Sequence, residues 1–165
     1  MAKTLIVYYS WSNGNTEKIA RQLQTTTGAD LMRIDTVTPY RGTHQQVVDQ
    51  GLRETEQGYM PPIQPPEKDL SGYDTIIIGT PTWWYTMAPA VLTFLTENEW
   101  EGKTVIPFMT HGGWPGHVLK DIKKACAGAE FACEMEIQFD SQGGPRLMTA
   151  QSVIDRWIGQ VQTLV

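Results

Sequence analysis

Tyr9-Ser10-Trp11-Ser12-Asn13-Gly14-Asn15-Thr16 divides a stretch that reads as buried strand from one that reads as helix. Upstream, Thr4-Leu5-Ile6-Val7-Tyr8-Tyr9 is apolar and rich in strand formers. Downstream, Glu17 to Leu23 places Ile19, Ala20 and Leu23 at helical spacing. The octet is therefore a strand-to-helix turn with hydroxyls and amides gathered around Gly14. A helix begins with unpaired backbone N–H groups and a partial positive charge, so such a turn is suited to hold an anion. It contains no Lys or Arg, and it has neither Gly-x-x-x-x-Gly-Lys-Ser/Thr nor the glycines of Gly-x-Gly-x-x-Gly. What remains is a terminal monophosphate of about −1.5 to −2 charge, bound by N–H and O–H donors. Taken alone, the turn equally admits an ordinary helix start capped by Asn13 or Ser12.

Outward from this turn, strand and helix alternate. Thr25-Thr26-Thr27-Gly28 ends the first helix, and Asp30 to Ile34 is a short second strand. Residues 44–56 have an imperfect helical spacing, and Pro61-Pro62-Ile63-Gln64-Pro65-Pro66 reads as an extended surface connection. Tyr73-Asp74-Thr75-Ile76-Ile77-Ile78-Gly79 is a strand covered on both faces. It leads into a loop over residues 80–89 and a helix over 90–95. Lys103 to Met109 is a fourth strand, with Pro107 predicting an irregularity near its end. A helix over 118–127, an edge strand over 134–139 and a last helix over about 149–164 complete the chain. This alternation predicts an α/β fold with one parallel sheet, right-handed crossovers and helices on both faces.

The bulk properties narrow the function. The 165 residues fit a single domain spanning 1–165. With 41% hydrophobic and 19% charged residues, the composition is that of a soluble globular protein. A net charge of −5 argues against nucleic acid and anionic membrane as partners and suits, weakly, a basic protein partner. No apolar run approaches a membrane span, and Met1-Ala2-Lys3 leaves no room for a signal peptide, so a cytoplasmic protein is expected. Cys126 and Cys133 lack redox-motif spacing, and His44, His111 and His117 form no metal-ligand cluster.

Three strands end in unusual loops, and in an open parallel sheet these carboxyl ends share one edge, where ligands bind. Pro81-Thr82-Trp83-Trp84-Tyr85 concentrates aromatic rings that could stack on a flat ligand. Gly112-Gly113, after Thr110-His111, lets backbone approach a ring edge. Trp83 and Trp84 could instead cap the sheet or meet another subunit, and Gly112-Gly113 could be a plain turn. Together the three loops describe a planar, mono-phosphorylated cofactor, and FMN meets all three requirements.

Tyr-Ser-x-Ser-x-Gly-Asn-Thr at 9–16, Gly-x-Pro-x-Trp-Trp at 79–84 and Thr-x-Gly-Gly at 110–113 resemble the flavodoxins, specifically flavodoxin-like proteins with a short uninterrupted fifth strand. The resemblance covers essentially the whole chain. It implies a flavodoxin-like three-layer sandwich with a five-stranded sheet of order 2-1-3-4-5. By position it implies that Ser10, Ser12, Asn13, Gly14, Asn15 and Thr16 hold the phosphate, with Trp11 also among the cofactor-binding residues. Pro81, Thr82, Trp83, Trp84 and Tyr85 would wrap the isoalloxazine, and Thr110, His111, Gly112 and Gly113 would line its other side or its pyrimidine edge. Two departures stand out: Asn13 adds a residue to the phosphate loop, and residues 80–85 lack the glycine common in the family's second loop.

The resemblance implies electron transfer between redox partner proteins. An FMN-dependent NAD(P)H:acceptor or quinone oxidoreductase is the alternative, with a small-molecule electron acceptor, and a cofactor-free regulatory module on the same fold is the third. No residue is assigned a catalytic or metal-binding role, since a lone loop histidine such as His111 is more often simply solvated. Trp11, Trp83, Trp84 and Trp114 near one rim would form an apolar patch that a second copy could cover as a homodimer.

Overall fold

The computed structural model describes residues 3–11 and 13–165, so the expected phosphate-loop member Ser12 lies outside the described residues. The strands are β1 (Thr4–Tyr8), β2 (Asp30–Arg33), β3 (Thr75–Trp83), β4 (Thr86–Met87), β5 (Thr104–His111), β6 (Glu130–Phe131) and β7 (Met135–Gln138). The helices are α1 (Asn15–Thr27), α2 (His44–Gln57), α3 (Pro89–Thr96), α4 (Val118–Ala125) and α5 (Gln151–Gln162). The sheet runs β2-β1-β3-β5, with β6 and β7 sharing the place beyond β5, and all of these pairings are parallel. Counted by position, that is the expected 2-1-3-4-5 order.

Alternate residues of each inner strand feed two separate cores, as the two-residue period of a strand requires. Ile6, Tyr8, Ile77, Ile106 and Phe108 face α1 and α5, meeting Ile19, Leu23, Ile154, Trp157 and Ile158. Leu5, Val7, Ile76, Ile78 and Val105 face the other way, onto Ala90, Val91, Phe94, Leu95, Val118 and Ile122 of α3 and α4. These cores make the sheet a rigid floor for the loops at its carboxyl edge. No helix among the described residues is long and apolar enough to cross a membrane.

Three expectations need correction. The fifth strand is interrupted: β6 pairs with the start of β5 and β7 with its end, and Cys133 between them has φ +50°. The break has a physical cause, because the largely buried Trp157 indole needs an acceptor and its Nε1 donates to the Cys133 carbonyl at 2.6 Å. Pro107 does not distort β5; it pairs in register with Ile78, and the irregularity falls in the neighbouring strand beside it, where proline has no N–H to offer. The segment expected as a loop from residue 80 is strand up to Trp83, and a tight turn at Trp84-Tyr85 sends β4 back antiparallel, with Thr82 opposite Met87.

Candidate functional site

The carboxyl ends of β1, β3 and β5 meet at a cavity of about 650 Å³. Of the residues expected to bind the cofactor, Trp11, Asn13, Asn15, Pro81, Thr82, Trp83, Trp84, Thr110, His111 and Gly112 line it. Ser10, Gly14, Thr16, Tyr85 and Gly113 do not. Ser10 and Thr16 are buried behind the wall, and their hydroxyls hold the turn together: Ser10 Oγ accepts from Glu17 N at 3.3 Å, and Thr16 Oγ1 lies 2.9 Å from Thr110 Oγ1. Tyr85 is 50% exposed and belongs to the reversal between β3 and β4, its carbonyl accepting from His117 N. Gly113 also reaches solvent.

Asn13 does not cap the first turn, its amide donating instead to the Gly143 carbonyl, and Ser12, the other capping candidate, lies outside the described residues. The residue preceding α1 is Gly14, in the left-handed region at φ 72°, and among the described residues the one side chain that accepts from the first turn is Ser10, at Glu17 N. Among the described residues, nothing accepts from the N–H of Asn15 or Thr16. The turn therefore presents helix-start donors at the cavity. Arg33, at the end of β2, braces it from outside: its Nη2 donates to the Ser10 carbonyl at 2.6 Å, while its Nε bonds Asp35 and its Nη1 reaches Glu17. The Arg21 hydrogen bond holds the Glu17 carboxyl below the usual carboxylate range. No lysine or arginine lines the cavity among the described residues.

The aromatic wall is a packed cluster. Trp83 sits edge-on to Tyr9, Trp11 and Tyr40, with ring centroids 5.9, 6.2 and 4.9 Å away. Trp11 stacks on His44 at 5.8 Å. Tyr40 is fixed by donating its hydroxyl to Glu54 Oε1 at 2.7 Å, and burial together with that carboxylate pushes the phenol well above its ordinary pKa. Trp84 Nε1 donates to the Val48 carbonyl at 2.9 Å, which pins the indole over α2. Gly51 faces both indoles, and a Cβ there would come 3.2 Å from the Trp83 ring and 3.6 Å from that of Trp84.

On the β5 side, the His111 ring accepts at Nδ1 from Gly113 N at 2.9 Å, so the neutral ring carries its proton on Nε2. Burial lowers the pKa of His111, which favours that neutral form. Trp114, 59% exposed, stands at the mouth.

Sequence reasoning missed two walls. One is the α2 face bearing His44, Val47, Val48 and Gly51. The other is the loop from Phe139 to Gly143, which follows β7. Asp140-Ser141-Gln142-Gly143-Gly144 carried a signal, a glycine pair just past a strand end like that after β5, but its strand looked like an ordinary edge. The α2 wall carried none, because a helix's approach to a distant loop leaves no local trace.

An open parallel sheet of this order, with its cavity at the β1–β3 switch in strand order, defines the flavodoxin-like class. The flavodoxin family model matches residues 3–140, and the chain belongs to that family. A flavoprotein from Lactobacillus acidophilus, crystallised in complex with FMN, is 23% identical over 95% of this chain and 99% of its own, with a TM-score of 0.71. A candidate flavoprotein from Bacteroides eggerthii is 25% identical over 98% of both chains, with a TM-score of 0.74. The flavodoxin, WrbA-like protein of Agrobacterium tumefaciens shares the fold at 16% identity and a TM-score of 0.63, over 99% of this chain and 97% of its own. No curated protein matches the chain.

Proposed function

We propose that this chain binds FMN and carries electrons between redox partner proteins. The observation that carries the proposal is the convergence of the α1 start, the tryptophan wall and the β5 loop on one cavity of about 650 Å³. The donor set suits the cofactor. The α1 start offers N–H groups to a phosphate without a fixed cation, and the tryptophans and Gly112 offer a flat slot. Asn15, at the first position of α1, lines the cavity, and its Oδ1 is buried with no partner among the described residues. Bound FMN supplies the redox chemistry, and this chain supplies position, water exclusion and field.

The net charge of −5 supports a partner with a basic face. The free thiols of Cys126 and Cys133 support a reducing, cytoplasmic compartment. Exposed Trp84, Tyr85 and Trp114 give a docking partner or second copy apolar surface to cover. A second reading, an NAD(P)H:acceptor oxidoreductase, is favoured by one observation: His111 keeps an Nε2 proton at the cavity wall, available to a bound acceptor.

The test is a titration of the purified chain with FMN, followed by anaerobic reduction. Carrier function predicts a yellow complex that NADPH alone reduces slowly and an added flavoprotein reductase reduces fast. Robust NADPH oxidation with a quinone and no added reductase establishes the second reading instead. A colourless chain that ignores FMN refutes both.

A further inference from the structure

We infer that Asp140, although acidic and set in the wall of a site for an anion, is a positioning residue that holds the anion-binding turn in shape from outside it; the inference rests on the FMN reading above. Its carboxylate is turned away from repulsion and into its own loop. Oδ1 accepts from Gln142 N at 3.0 Å and Gly144 N at 2.9 Å, and Oδ2 accepts from Arg146 N at 3.1 Å. These bonds wrap residues 140–146 into a strap around one side chain. Glycine at position 144 leaves room for the carboxylate, since a Cβ there would come 2.5 Å from Asp140 Oδ2 and force it to shift.

The strap in turn grips the α1 start. The Gly143 carbonyl accepts from Asn13 Nδ2, and the Gly144 carbonyl accepts from Asn15 Nδ2 at 3.1 Å, across about 130 residues of sequence. The second bond fixes which way the Asn15 amide faces, and with it the first residue of α1. The strap also lies close against the β5 loop, where a Cβ on Gly112 would come 3.0 Å from the Asp140 carbonyl. One carboxylate thus organises a loop that touches two of the three site loops. The extra residue at Asn13 acquires a purpose: it supplies one of the two amides that the strap holds.

Two opposed effects separate in experiment. As a bare negative charge, Asp140 would weaken phosphate binding, and removing it would tighten FMN. As the organiser of the strap, it strengthens phosphate binding while leaving the ring's contacts alone.

Dissociation constants of the full chain for FMN and for riboflavin, which lacks the phosphate, decide between them. Asp140→Ala is expected to weaken FMN about tenfold and riboflavin less than about twofold, so that the preference for FMN falls. Asp140→Asn, which keeps one carbonyl oxygen for Gln142 and Gly144, is expected to stay within about threefold of wild type. Should Asp140→Ala not fold, as read by far-UV circular dichroism, Asp140→Glu, which keeps the charge but carries the carboxylate beyond the N–H groups of Gln142, Gly144 and Arg146, is expected to lower the same preference. Equal weakening of both flavins, an unchanged preference, or tighter FMN binding by Asp140→Asn overturns the inference while the cofactor reading stands. A wild-type chain with no affinity for FMN overturns the two together.

Discussion

The hydroxyls of Thr16 and Thr110 lie 2.9 Å apart, in full burial, and join the first turn of α1 to the carboxyl end of β5. This contact sets the distance between the phosphate turn and the β5 loop. Replacing either threonine by valine leaves the other hydroxyl buried without its partner, at a cost of about 1–3 kcal/mol. The double valine variant should cost less than the sum of the two single ones, because no orphan remains. Urea denaturation of the four proteins measures the difference.

Gly79 is a packing requirement of β3. It pairs with Phe108 across the sheet, and a Cβ at Gly79 would overlap the Phe108 ring. Gly79→Ala is expected to destabilise the fold by about 1–3 kcal/mol through overpacking, read as a lower thermal midpoint. A second change, Phe108→Leu, should recover part of the loss if ring overlap is the cause.

Trp84 is held over α2 by its bond to the Val48 carbonyl and faces the cavity. If it stacks on the ring of the cofactor, Trp84→Ala should weaken FMN and riboflavin alike, by about twofold to tenfold. An effect confined to FMN would place the indole near the phosphate and contradict the site as described.

Burial lowers the pKa of His111, so the folded chain resists its protonation where the unfolded chain does not. Stability should therefore fall as pH drops below the ordinary histidine value of about 6.5 and level off once pH passes the depressed folded value. His111→Gln should remove that slope. NMR titration of the ring, with a midpoint below about 6.5, checks the cause directly, and a midpoint above it would refute the assignment.

Asp140 lines the cavity, lysine and arginine do not line it among the described residues, and the chain carries −5 overall. Negative charge on a reduced ring is disfavoured in such a field. Potentiometric titration should give bound FMN a potential below that of free FMN, and a value equal to or above it would count against this account.

Much of this was legible in the sequence because its cause is local. The αL position of Gly28 at the end of α1, the doubly covered run Ile76-Ile77-Ile78 and the strand-to-turn-to-helix sequence around Gly14 follow from backbone sterics and side-chain period, which act within a few residues. From them came the parallel sheet and the edge at which its loops gather. The break at Cys133 was legible only in part: Pro107 announced an irregularity but not its strand, and the Trp157 indole that bonds the Cys133 carbonyl lies 24 residues away. The reversal at Trp84-Tyr85 was illegible because two non-glycine residues adopt positive φ only where packing on α2 and α4 compels them.

The sequence by itself determined the layered α/β class, the anion-suited turn and the three loops at one sheet edge, since short-range sterics and burial period write these into neighbouring residues. Only the tertiary structure decided which of those side chains reach the cavity and which stand behind it. It alone showed that Arg33 braces the turn, that α2 closes one wall, and that the strap from Asp140 closes another. Those are contacts between residues far apart in the chain, and no local pattern encodes a partner that the fold must first bring near.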